Sequence, residues 1–67
     1  MTRIDFGIAY QKDGYQRTVR YLQRLGAAKV EADELSQEAW TRGWERVWQL
    51  RDARNLVGWV NAIARRL

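Results

Sequence analysis

Cysteine, histidine and proline are all missing from this 67-residue chain. Without cysteine there is no disulfide framework, and a reducing, cytoplasmic setting is the expectation. Without histidine as well, the usual nitrogen and sulfur ligands of zinc are gone, and no metal or cofactor is called for. The same two absences remove the commonest general base and the most reactive nucleophile. Ser36, scattered threonines and carboxylates without an evident pairing are what remain, so an enzyme is not expected. No apolar run approaches the roughly 20 residues of a membrane span, and MTRIDFGIAY lacks the apolar stretch of a secretory leader. No membrane partner is expected. The absence of proline leaves helices uninterrupted, and no repeat or low-complexity tract is present.

A chain this short is one domain that hides only about 60% of the surface its unfolded form exposes. Large aromatic side chains are therefore expected inside. Helix formers dominate, so the fold class expected is all-α, a compact bundle of three to four helices. Tyr15, Val19, Leu22 and Leu25 recur at helical spacing and stop at Gly26, a residue suited to a helix C-terminus. Ile4, Phe6 and Tyr10 belong either to the same helix or to a separate one broken near Asp13-Gly14.

A second and longest helix is expected from residues 30–33 to Gln49 or Leu50, with acids at its N-terminus. Ala32, Leu35, Ala39 and Gly43 fall on one stripe, with Val47 and Leu50 near it, where small side chains let another helix approach. Glu34, Gln37, Glu38, Thr41 and Glu45 lie opposite, with Trp48 at their edge. Trp40, Trp44 and Trp59 are expected in the core and Trp48 outside it. RDARN, residues 51–55, is a polar connection in which Asn55 can cap a third helix. Leu56, Trp59 or Val60, Ile63 and Leu67 give that helix its buried face. It runs into the C-terminus on Arg65, Arg66 and Leu67 without a stop signal, as though cut within an element.

Charge is segregated along the chain, whose formal net charge is +4. Residues 1–30 carry six bases against two acids, residues 31–50 two against five, and residues 51–67 four against one. An acidic segment between two basic ones can serve partners of opposite sign. Arg17, Arg20 and Arg24 read chiefly as a solubilising face, though they can extend a nucleic-acid surface.

Two stretches carry a family likeness. The first holds Asp33, Glu34, Leu35, Gln37, Glu38, Trp40 and Trp44; the second holds Leu50, Arg51, Asn55, Leu56, Trp59, Ile63, Ala64 and Arg65. In this order and separation, over residues 15–67, they resemble region 2 of bacterial RNA polymerase sigma factors, the extracytoplasmic-function (ECF) type above all. The resemblance implies a domain of transcription initiation that binds the arginine-rich coiled coil of the largest subunit of the RNA polymerase core. Glu34, Gln37 and Glu38, extended by Thr41, would do so. It also implies binding of promoter DNA at the melted minus-ten element, through the nontemplate strand. Arg51, Asp52, Arg54 and Asn55 of the loop and Asn61, Arg65 and Arg66 of the last helix would contact it, and an anti-sigma factor is a further implied partner. Ala62 stands where members often carry a base, and Arg66 where they often carry an amide. The family's basic helix extension and its helix-turn-helix domain are not in this stretch, so weak DNA affinity is expected of it alone. Two other readings stay open: a three-helix reader of duplex DNA, and a helical protein-interaction module that touches no DNA.

Overall fold

The chain enters its first helix through a reciprocal cap. In the computed structural model, which describes residues 2–67, Thr2 Oγ1 accepts from the Asp5 N–H at 3.1 Å and the Asp5 carboxylate accepts from the Thr2 N–H at 3.4 Å. This pairing satisfies two donors that a helix start leaves open. Helix α1, Arg3–Ala9, then widens into a π-helical stretch, Tyr10–Gly14, and continues as α2, Tyr15–Arg24. The backbone stays right-handed helical throughout, so Ile4, Phe6 and Tyr10 share one rod with α2. Of the two alternatives the single helix holds, with a widened turn near Asp13-Gly14 where a break would have fallen.

Gly14 explains the widening. A Cβ there would lie 2.7 Å from the Trp40 ring and 2.7 Å from the Ala9 carbonyl oxygen, far inside contact distance. The extra residue of the π turn brings bare backbone against the Cζ2–Cη2 side of the indole.

Leu25 and Gly26 close α2. Gly26 has φ +105°, its N–H donates to Gln23 O at 3.0 Å, and the Ala27 N–H donates to Leu22 O at 3.1 Å. This is the left-handed glycine stop with both of its crossed bonds, and Ala27 packs back against the core. Leu25, expected on the buried face, is 59% exposed because it occupies the capping position, and Ala27 fills the space instead.

Helix α3, Lys29–Arg46, begins close to the expected place and tightens into a 3-10 turn over Val47–Gln49. Ala32, Ser36, Ala39 and Gly43 are buried along it, with Leu35 half-buried. The small stripe does what its composition requires: a Cβ on Gly43 would come within 3.1 Å of Phe6 and 3.4 Å of Trp59. After a 3-10 turn at Ala53–Asn55, α4, Leu56–Arg66, buries Leu56, Val60 and Ala64. Trp59 and Ile63 are half-buried, while Leu67, expected to continue this face, is 43% exposed beyond the last turn. Helix α3 packs on both α2 and α4, and α2 on α4, closing an all-α bundle with no strand among the described residues. No helix among them is long and apolar enough to cross a membrane.

Trp40 is the centre of the core. It is 2% exposed, tilts against Phe6 at 5.1 Å between centroids, meets Tyr10 edge-on at 5.5 Å, and donates its Nε1–H to Thr18 Oγ1 at 3.0 Å. Truncating a buried tryptophan costs about 3–5 kcal/mol, a large share of the roughly 3–10 kcal/mol available to a domain of this size. Ser36 is fully buried with its Oγ unpartnered, so the sequence's one serine is sealed from solvent.

These contacts separate two glycines of the same rod. Gly14→Ala is expected to lower stability by about 1–3 kcal/mol through overpacking against Trp40. Gly7→Ala, whose Cβ would sit 4.0 Å from Trp44, is expected to raise it by about 0.5–1 kcal/mol through helix propensity. Urea unfolding of both variants checks this; equal effects would contradict the close approach at Gly14.

Candidate protein and nucleic-acid interfaces

Glu34, Gln37, Glu38 and Thr41 are all exposed and share the outer face of α3. Thr41 Oγ1 donates back to the Gln37 carbonyl at 2.8 Å, which holds its hydroxyl to the helix. Glu38 pairs with Arg42 at 2.9 Å, one turn along, an exposed contact of the kind that contributes little to stability. The Glu38 carboxylate therefore remains open to a stronger partner at little cost. Glu34 enters no ion pair among the described residues.

Asp33, the neighbouring acid of the same motif, has a different task. It accepts from Tyr15 Oη at 3.1 Å and from Lys29 Nζ at 3.1 Å, tying α3 to α2. The Lys29 ammonium, and after it the Tyr15 hydroxyl, hold its carboxyl below the ordinary value of 3.8. Burial, with the Asp33 carboxylate adding to it, pushes the Tyr15 phenol above its own ordinary value.

Beside this face lies an aromatic cleft of about 610 Å³ between α1 and α3. Tyr10, Trp40 and Trp44 form its apolar wall, and Gln37 and Thr41 stand on its polar edge. Trp44, expected in the core, is 42% exposed here, because Phe6 takes the inner position against the α3 stripe and leaves Trp44 on the outside edge of that ring at 5.9 Å. The Arg3 guanidinium lies 5.5 Å from the Trp44 ring centre, a cation–π contact. Trp48 is 75% exposed, as expected. The cleft was not legible in the sequence, since it exists only where the rod of α1 and α2 lies beside α3.

The basic candidates lie elsewhere, at the two ends of α4, and Arg51, Arg65 and Arg66 line neither of the clefts between α2 and α4. Arg51, Asp52, Arg54 and Asn55 are exposed in the connection, and Arg65 and Arg66 are exposed in the last turn of α4. Asp52 organises the connection: its Oδ1 accepts the Arg54 N–H at 3.0 Å, and its two oxygens take Arg54 Nε and Nη2 at 3.2 Å each. These bonds, the Arg54 side chain first, hold the Asp52 carboxyl below its ordinary value. Asn55, expected to cap α4, makes no side-chain cap; Asp52 caps the preceding 3-10 turn instead, because that turn shifts the first orphan donors upstream. Asn61 is half-buried, with its Oδ1 accepting from Thr18 Oγ1 at 2.8 Å.

Two adjoining clefts of about 460 and 470 Å³ run between α2 and the start of α4. Lys12, Arg17, Arg20 and Arg24 line one side; Arg54, Asn55 and Asn61 line the other, and Asp13 is the sole lining carboxylate. The structure thus joins the α2 arginines, which composition alone marks as solubilising, to the residues of the connection and α4. Their spacing of three and four along α2 was the signal that placed them on one face. No α3 residue lines either cleft, so the acidic face and the basic groove are separate surfaces.

No protein-family model, curated protein or solved structure matches the chain. The functional reading rests on its residues and their geometry.

The Asp33 bridge predicts an acid-side loss of stability. A carboxyl lowered on folding stabilises the fold above the unfolded value near 3.8. That contribution disappears as pH falls through the lower folded value. Thermal unfolding at pH 5 and pH 2.5, both chosen as roughly flanking that window, is expected to show a smaller drop for Asp33→Asn than for the parent. An identical drop would remove the bridge as a source of pH dependence.

Proposed function

We propose that the chain is a region 2 domain of an ECF-type sigma factor, which binds the RNA polymerase core by one surface and the opened minus-ten strand by another. The observation that carries this reading is the exposure of Glu34, Gln37 and Glu38 together on α3, residues that the first sigma-like motif supplies, with Thr41 extending the same exposed face. A carboxylate and amide face suits a partner rich in arginine, because guanidinium groups bond such groups in pairs and opposite fields speed encounter. Arg51, Arg54, Arg65 and Arg66 suit the phosphates of a strand. Strand opening needs no covalent step on this reading. A surface that holds unpaired nucleotides better than duplex shifts the equilibrium toward the open form by that difference in affinity.

The exposed Trp44 and Trp48 favour a second reading, a protein-interaction module that docks an apolar partner segment through its aromatic side. Salt-dependent binding of single-stranded DNA separates the two, because only the first reading requires it.

Glu38→Arg with Gln37→Ala is expected to weaken binding to the polymerase coiled coil by about a hundredfold or more, since like charges then face each other. Isothermal titration against a coiled-coil fragment measures it, with circular dichroism confirming the fold. Unchanged affinity would remove the assignment. For the strand surface, Arg54→Ala with Arg65→Ala is expected to reduce the slope of log affinity against log salt by roughly 1.4, about 0.7 for each lost phosphate contact. Parallel slopes would argue against phosphate contact at these two residues.

A further inference from the structure

The groove between α2 and α4 contains an amide whose orientation is set from the core. Thr18 Oγ1, fully buried, accepts the Trp40 Nε1–H at 3.0 Å and has one proton left to give. Its two acceptors are Asn61 Oδ1 at 2.8 Å and the Gly14 carbonyl at 3.3 Å. The shorter contact has the ordinary length of an O–H···O bond. The Asn61 oxygen therefore points inward to Thr18, and what the side chain offers the groove is its NH₂, two donors and no acceptor.

Across from Asn61 stands the basic side of α2. Arg17, Arg20 and Arg24 are exposed, line the groove, and enter no ion pair among the described residues. From Arg17 to Arg24 the helix rises about 10 Å, about three steps of a strand at roughly 3.4 Å for each charge, so the three arginines lie along a run of about four phosphates. Half-buried Tyr21 lines the same groove and adds an aromatic face. A base can stack flat on that ring, which favours a nucleic-acid strand over a peptide whose recognition here would rest on carboxylates alone.

We infer that this groove is a track for single-stranded nucleic acid, in which Arg17, Arg20 and Arg24 hold phosphates along one short run of the strand. Asn61, its oxygen fixed by the Trp40–Thr18 relay, donates to a carbonyl or ring-nitrogen acceptor of one base. The inference rests on the strand-binding role proposed above and extends it to a helix outside that role. It also gives Asn61 a definite polarity: the site accepts base edges that present an acceptor and offers nothing to a base donor. Asp13, the groove's carboxylate, lies one turn before Arg17 and lines both adjoining clefts.

Fluorescence anisotropy of the intact chain tests this, with oligothymidylate of about 12 residues, within the usual single-strand site sizes, and an abasic strand of equal length. The parent is expected to prefer oligothymidylate by about tenfold, the scale of one stacked and hydrogen-bonded base. Replacing Arg17, Arg20 and Arg24 together by alanine is expected to weaken both strands at least tenfold and reduce the salt slope by roughly two. Circular dichroism checks that these exposed changes leave the fold intact. Asn61→Leu, and Thr18→Val if it folds, are expected to shrink the preference for oligothymidylate about fivefold while leaving the salt slope alone.

An unchanged slope in the triple variant, with Arg54→Ala and Arg65→Ala still weakening the strand, would overturn the groove and leave the proposed function standing. A parent that binds neither strand would overturn both. A preference for oligothymidylate that survives Asn61→Leu would overturn the base contact. Polyglutamate of matched charge displacing the strand as effectively as unlabelled oligothymidylate would do the same and make the groove an acidic-peptide surface.

Discussion

One hydrogen-bonded indole holds this bundle in register. Trp40 sits on α3, touches Phe6 of α1 and Tyr10 and Gly14 of the π turn, and donates to Thr18 of α2, which in turn donates to Asn61 of α4. A buried indole N–H without a partner is costly, so the Thr18 hydroxyl has to be where it is. The same requirement explains the π turn. Only a widened helix with a bare residue at position 14 allows the rod to pass close over the ring. A domain of this size has little other burial to fall back on, and the placement of every surface feature follows from this junction.

From that junction the charge pattern along the chain becomes a pattern in space. The acidic residues of 31–50 divide their tasks: Asp33 faces α2 and joins the helices, while Glu34 and Glu38 remain on the open side. The packing of α2 on α4 brings Arg17 beside Arg54 in one cleft and Arg17, Arg20 and Arg24 beside Asn61 in the adjoining one. Exposed ion pairs such as Glu38–Arg42 and Asp52–Arg54 are inexpensive to open. The two surfaces thus keep their charge available at low cost in stability.

Much of the fold was legible in the residues. The helical class, the Gly26 stop, the Ala32–Ala39–Gly43 stripe and the extent of helical backbone to Gln49 follow from local spacing and glycine chemistry, though not its tightening into a 3-10 turn after Arg46. What was not legible depended on partners far along the chain. Trp44 matches Trp40 in type and stripe position, and only the seat of Phe6 decides which of them is buried. Leu25 and Leu67 continue an apolar spacing past the point where the backbone leaves the helix, so periodicity overcounts there. Asn55 suits a cap by type, yet the 3-10 turn hands that role to Asp52. The outer face of α3 was readable because helix periodicity alone defines it. The basic groove was only half readable, since its two walls come from helices more than thirty residues apart.

The central claim is that one small bundle carries two independent surfaces of opposite charge. Titrating labelled single-stranded DNA into the chain, free and then saturated with the polymerase coiled-coil fragment, tests this most directly. Under the proposed function, separate surfaces predict a ternary complex with strand affinity equal to or higher than that of the free chain, because a fragment bound on α3 would leave the α2–α4 groove open. Mutual exclusion, with the fragment displacing the strand in proportion to its own binding, would contradict the account.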